Sequence, residues 1–109
     1  MRLRQVEAFR ATMLSGTITG AAKLLSITQP SASRLIADLE ANLGFTLFER
    51  TRGRLQPTPE GMRFYQEVER AFTGLDKLER TAAQIREERT GHLTVHVSPA
   101  LSANLIPQA

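Results

Sequence analysis

The chain has 109 residues, 41 % of them hydrophobic and 23 % charged, with no cysteine. This is an ordinary soluble globular composition, and it excludes disulfide staples, cysteine-based zinc sites and thiol catalysis. The net charge of +3 is unevenly placed: residues 1–58 carry eight basic against four acidic side chains, 59–91 six against seven, and 92–109 none.

A polyanionic partner therefore suits the first half of the chain. No apolar run approaches the roughly 20 residues that span a bilayer, and Met1-Arg2-Leu3-Arg4-Gln5 lacks the apolar core of a secretory signal. A reducing cytoplasm, with no membrane partner, is the expected setting.

Leu3, Val6, Phe9 and Met13 recur at helical spacing and predict a first helix over about 2–14, stopped by Ser15-Gly16. Thr17 is an N-cap for a short second helix whose apolar face is Ile18, Ala21, Ala22 and Leu25. The two alanines permit close approach of another helix. Leu25-Ser26-Ile27 is a tight connection. Thr28 then caps a third helix over 28–43, with Pro30 in its first turn and Gly44 after its end. Its core stripe is Ala32, Leu35, Ile36, Leu39 and Leu43. The opposite stripe, Pro30, Ser33, Arg34, Ala37 and Ala41, is small and polar.

Two short extended runs, Phe45–Phe48 and Leu55–Gln56, flank the basic turn Arg50-Thr51-Arg52-Gly53-Arg54 and read as a β-hairpin. Pro57 confines the second run to an edge. Thr58-Pro59-Glu60 is a helix start, and the helical pattern persists over 59–89, roughly 45 Å at 1.5 Å per residue. Tyr65, Val68, Phe72, Leu75, Leu78, Ala82 and Ile85 form a near-heptad seam suited to a second copy. After Thr90-Gly91, the alternating run His92–Val97 predicts a strand, and Ala100–Ile106 the start of a helix. That is the opening of an α/β unit, and the chain is expected to be truncated within it.

Helix, short helix, tight turn, longer helix and basic hairpin make a winged helix-turn-helix. The expected fold is mainly α: this module over 1–58, a long dimerisation or linker helix over 59–89, and a truncated start of an α/β domain over 90–109. A helix fits the major groove of B-DNA and reads base edges from its N-terminal end. Gln29 suits adenine and Arg34 suits guanine, while Thr28, Ser31 and Ser33 are short donors for phosphates or one base edge. Ala37 and Ala41 let the backbone sink into the groove. Arg52 and Arg54, around Gly53, supply the minor-groove contact from the wing over 50–55. Arg50 contacts a phosphate or ties the wing to the body.

The chain resembles the DNA-binding domain and linker helix of LysR-type transcriptional regulators over residues 1–89. The resemblance rests on Leu3-Arg4-Gln5-Val6-Glu7-Ala8-Phe9, Gly16-Thr17-Ile18-Thr19-Gly20-Ala21-Ala22 and Ser26-Ile27-Thr28-Gln29-Pro30-Ser31-Ala32-Ser33-Arg34. Leu39-Glu40-Ala41-Asn42-Leu43-Gly44, Leu47-Phe48-Glu49-Arg50 and Pro57-Thr58-Pro59-Glu60-Gly61 complete it. It implies a bacterial transcription factor that binds a double-stranded DNA operator as a homodimer. DNA contacts are implied at Gln29, Pro30, Ser31, Ser33 and Arg34, and phosphate contacts at Thr19, Thr28 and Arg50.

The wing order Arg52-Gly53-Arg54-Leu55-Gln56-Pro57 departs from the commoner family pattern of two adjacent arginines before the glycine. With Gly74-Leu75-Asp76 it is similar to the branch containing LysR itself and the opine-catabolism regulators, which implies an amino-acid-like effector. In the family that effector is held by a C-terminal domain, whose cleft would include Ser98 and Ala100 in the full-length protein. The tetramer common in the family also needs that domain. No effector binding is expected of this fragment, and no cofactor or metal.

Catalysis is not expected. His92 and His96, four apart on a strand, would lie roughly 13 Å from each other, and no nucleophile, phosphate-loop or dinucleotide motif accompanies them. A dimerisation module alone would account for the seam but not for the basic first half or the wing. A regulator of another winged-helix type would differ in how its long helices pair.

Overall fold

The computed structural model describes residues 1–91. The expected strand His92–Val97, the helix start Ala100–Ile106 and the effector positions Ser98 and Ala100 lie outside the described residues. The described elements are α1 (Leu3–Ser15), α2 (Ile18–Leu25), α3 (Gln29–Leu43), β1 (Phe48–Thr51), β2 (Arg54–Pro57) and α4 (Pro59–Gly91). The backbone divides into two compact units, Met1–Glu69 and the portion from Arg70 onward.

The helix boundaries follow from their caps. Thr17, Thr28 and Thr58 each accept a backbone N–H of the first turn through Oγ1, from Gly20, Ser31 and Gly61 at 2.9, 3.2 and 2.9 Å. At the other ends, Gly16 N–H returns to Thr12 O and Gly44 N–H to Glu40 O. Ser26 makes the turn between α2 and α3 in a left-handed conformation, with φ 57°.

In the first unit α1 packs against α2 and α3, and α2 against α3. Ala8, Ala21, Ala22 and Ala32 are buried, so the three backbones approach closely around Phe9, Ile36 and Leu39. The buried face of α1 differs from the expected stripe. Val6 and Phe9 lie in it and Met13 is half-buried, but Leu3 is 57 % exposed, and Gln5 and Thr12 are buried. Both polar side chains are satisfied locally: Gln5 Oε1 accepts the N–H of Arg2, and Thr12 Oγ1 donates to Ala8 O. The Phe9 ring meets Phe48, Phe64 and Tyr65 with centroids 5.5, 5.6 and 6.1 Å away, so α1, the wing and the start of α4 share one aromatic cluster.

The hairpin is confirmed with a correction. The first strand is Phe48–Thr51, not Phe45–Phe48; it pairs antiparallel with Arg54–Pro57, Phe48 opposite Pro57 and Thr51 opposite Arg54. Residues 45–47 are drawn off into other bonds. Leu47 is fully buried, its N–H donates to Glu40 and its carbonyl accepts from Thr58 N–H. The two-residue turn Arg52-Gly53 has φ of 55° and 76°, the paired left-handed conformations that suit a right-twisted hairpin. Gly61 is required by close approach: a Cβ there would collide with the Leu47 carbonyl.

Candidate nucleic-acid interface

The outer face of α3 is open. Pro30, Arg34, Ala37 and Ala41 are exposed and Ser33 is half-buried, while Ala32, Ile36 and Leu39 turn inward. The face is shallow except for Arg34, whose side chain is 80 % exposed and lies 3.6 Å from Asp38 one turn on. An exposed pair of this kind contributes little in water, so the guanidinium is available to a stronger partner. Gln29 Nε2 donates to Ser33 Oγ at 3.1 Å, and Thr28 Oγ1 donates to Ser31 Oγ at 2.9 Å. The hydroxyls and amide at the leading end of α3 are thus pre-oriented in one exposed cluster.

Beside this end lies an open cleft of about 500 Å³, walled by the start of α2, Gln29 and the wing. Thr19, Gln29, Arg50 and Arg54 line it together with Thr17 and Gln56, and no acidic side chain does. The N-terminus of α2 adds backbone N–H groups of the kind that favour an anion. Arg52 stands apart at the exposed tip of the hairpin. Arg34 lies on the open face of α3 and does not line this cleft. Arg50 Nη1 also reaches Gly53 O across its own turn, at 3.5 Å. Gln56 was not anticipated. Its alternation with Leu55 carried the signal, since Arg54 and Gln56 share a strand face.

The residues of the expected seam fall into two groups. Val68 is 4 % exposed and belongs to the core of the first unit, and Tyr65 lies edge-on to Phe9. Tyr65 also hydrogen-bonds Glu69, which pairs with Arg10 of α1 through Nε to Oε2 at 2.8 Å. Arg10 and then Tyr65 hold the Glu69 carboxyl below its usual range, and burial raises the Tyr65 phenol. This contribution is present above the normal carboxylate range and fades as pH falls through the lowered pKa of Glu69. With both partners about a third exposed it is small. Farther along α4, Phe72 is half-buried, Ala82 is exposed, and Leu75, Leu78 and Ile85 are 40, 66 and 51 % exposed.

Residues 3–62 match the family model described as bacterial regulatory helix-turn-helix protein, lysR family. The chain belongs to the LysR family. It is 44 % identical over 108 residues to the transcriptional activator protein LysR of Escherichia coli, covering 99 % of this chain and 35 % of that protein. It is 50 % identical over 101 residues to the regulatory protein NocR of Agrobacterium fabrum, covering 91 % and 34 %. The chain thus spans about a third of the length of these curated relatives.

Among solved structures, it is similar to the BenM DNA-binding domain in complex with benA site 1 DNA. The TM-score is 0.73 at 36 % identity, over 79 % of this chain and 97 % of that one. The CbnR DNA-binding domain in its DNA complex gives 0.66 at 31 % identity, over 82 % and 99 %. The winged helix-turn-helix followed by a long helix is the LysR-family architecture. The LysR and NocR relatives are a transcriptional activator and a regulatory protein.

Proposed function

We propose that the chain is the DNA-reading and dimerising part of a LysR-type transcriptional regulator. The observation that carries this is the open face of α3: small at Ala37 and Ala41, headed by Gln29, Ser33 and Arg34, and set beside a basic wing. Gln29, Pro30, Ser31, Ser33 and Arg34 meet base edges and nearby phosphates in the major groove. Thr19, Thr28 and Arg50 meet phosphates, and Arg52 and Arg54 serve the minor groove. A second copy docks along Phe72, Leu75, Leu78, Ala82 and Ile85, with Tyr65 and Val68 bracing the start of the seam from the head. Residues 1–58 read, 59–89 dimerise, and 90–109 begin the effector domain.

A regulator as long as the relatives would add a small-molecule effector of amino-acid-like chemistry, with Ser98 and Ala100 at its cleft, and tetramer assembly. Its workplace is the cytoplasm, on the nucleoid. Among the described residues no helix is long and apolar enough to cross a membrane.

Two binding measurements test the interface. Arg34→Ala is expected to cost about 1–3 kcal/mol and to relax preference at one base pair. Selection from a randomised duplex pool by wild-type and variant chains reads this, and an unchanged site preference would count against base contact. The pair Arg52→Ala and Arg54→Ala is expected to weaken binding and lower the slope of log K against log salt by about one to two. An unchanged slope would remove the wing from the interface.

A further inference from the structure

Glu40 lies on α3 but is half-buried, off the open face. Its Oε2 accepts two backbone N–H groups, from Leu47 at 2.6 Å and Phe48 at 3.2 Å. These are the residues through which the chain enters the wing. The same stretch is gripped from the other side: Leu47 O accepts Thr58 N–H at 2.9 Å, and Thr58 Oγ1 donates to Thr46 O at 2.8 Å. The wing itself is a two-stranded sheet. An isolated hairpin has little stability of its own, so its placement depends on how its base is held. A charge-assisted bond from the neighbouring helix is among the stronger ways to hold it.

We propose that Glu40 is a positioning residue for DNA reading, setting the offset of the Arg52–Arg54 turn from the leading end of α3. The inference rests on the assignment of α3 and the wing as the interface. The duplex fixes the separation of adjacent major and minor grooves, so both contacts form together only if the protein fixes the same separation. One carboxylate oxygen bonded to both Leu47 and Phe48 ties the wing to the helix that reads. Its charge argues for this role over a direct one, because a carboxylate near phosphates opposes binding. By charge alone Glu40→Ala would tighten binding. By positioning it weakens binding.

The test is a double-mutant cycle on the full chain, with a duplex selected by the wild-type chain from a randomised pool. In the wild-type background, Arg52→Ala with Arg54→Ala is expected to weaken affinity about tenfold, and Arg34→Ala by a similar factor. In Glu40→Ala the Arg34 effect persists, but the wing pair costs less than about twofold, because the arginines are already misplaced. Glu40→Gln keeps an oxygen acceptor and is expected to restore most of the wing effect. If Glu40→Ala fails to fold by circular dichroism, Glu40→Asp, one methylene too short to reach both N–H groups, takes its place.

A wing pair that costs the same with and without the carboxylate, in folded protein, would overturn the positioning role while leaving the interface intact. If neither Arg34→Ala nor the wing pair changed affinity in the wild-type chain, the interface would fall and the inference with it.

Discussion

Leu78→Asp is expected to convert the proposed dimer to monomers with folded heads. Leu78 is 66 % exposed in the single chain, so the substitution removes nothing from that chain's own core. In a symmetric pair every seam position occurs twice. Burying one leucine is worth about 1.5–3 kcal/mol, and a buried aspartate adds a desolvation cost. Two copies bring the loss to more than about 4 kcal/mol, and the dimer dissociation constant is expected to rise about a thousandfold or more. Sedimentation velocity checks this, with far-UV circular dichroism as the folding control. DNA affinity is expected to fall with it by about a hundredfold or more, because a tethered second head acts at high effective concentration. An intact dimer at the wild-type concentration would refute the seam.

Phe9→Ala carries the largest expected loss of fold stability. The ring is fully buried and touches three other aromatic rings, on the wing and on the start of α4. Phenylalanine-to-alanine changes in cores cost about 3–5 kcal/mol, a large share of the roughly 5–15 kcal/mol that holds a domain together. Leu3→Ala is the internal control. Both residues belong to the same helical repeat in the sequence, yet Leu3 is 57 % exposed and its truncation is expected to change stability by less than about 0.5 kcal/mol. Urea unfolding followed by circular dichroism separates them by the transition midpoint at constant slope. Equal shifts for the two variants would mean that the aromatic cluster is not the core.

The contrast between Leu3 and Phe9 marks where the sequence was readable. Helix existence was legible because the threonine caps and the following glycines are local signals, and each makes the bond its position suggests. The open face of α3 was legible because a fixed 3.6-residue period separates it from Ala32, Ile36 and Leu39. The placement of β1 was not. Phe45 and Leu47 look like one face of a strand, and nothing adjacent to them shows that a carboxylate seven residues upstream holds the backbone of Leu47. In the sequence Glu40 is no more than one residue of the Leu39–Gly44 motif, since its role depends on a contact that appears once α3 and the wing are folded together. Val68 fits the seam repeat, but periodicity does not say whether the partner is another chain or the same one. The basic cluster announced the wing. The cleft that brings Arg50 and Arg54 to Thr19 and Gln29 is a tertiary fact.

In the proposed function the open face of α3 enters a duplex. Backbone amide perturbation in a ¹⁵N-labelled chain, titrated with the duplex it selects from a random pool, tests this most directly. The largest shifts are expected from Gln29 to Arg34, at Ala37 and Ala41, and across the wing from Arg50 to Gln56. Shifts confined to other surfaces, with these amides unmoved at saturation, would mean that this face does not enter the duplex.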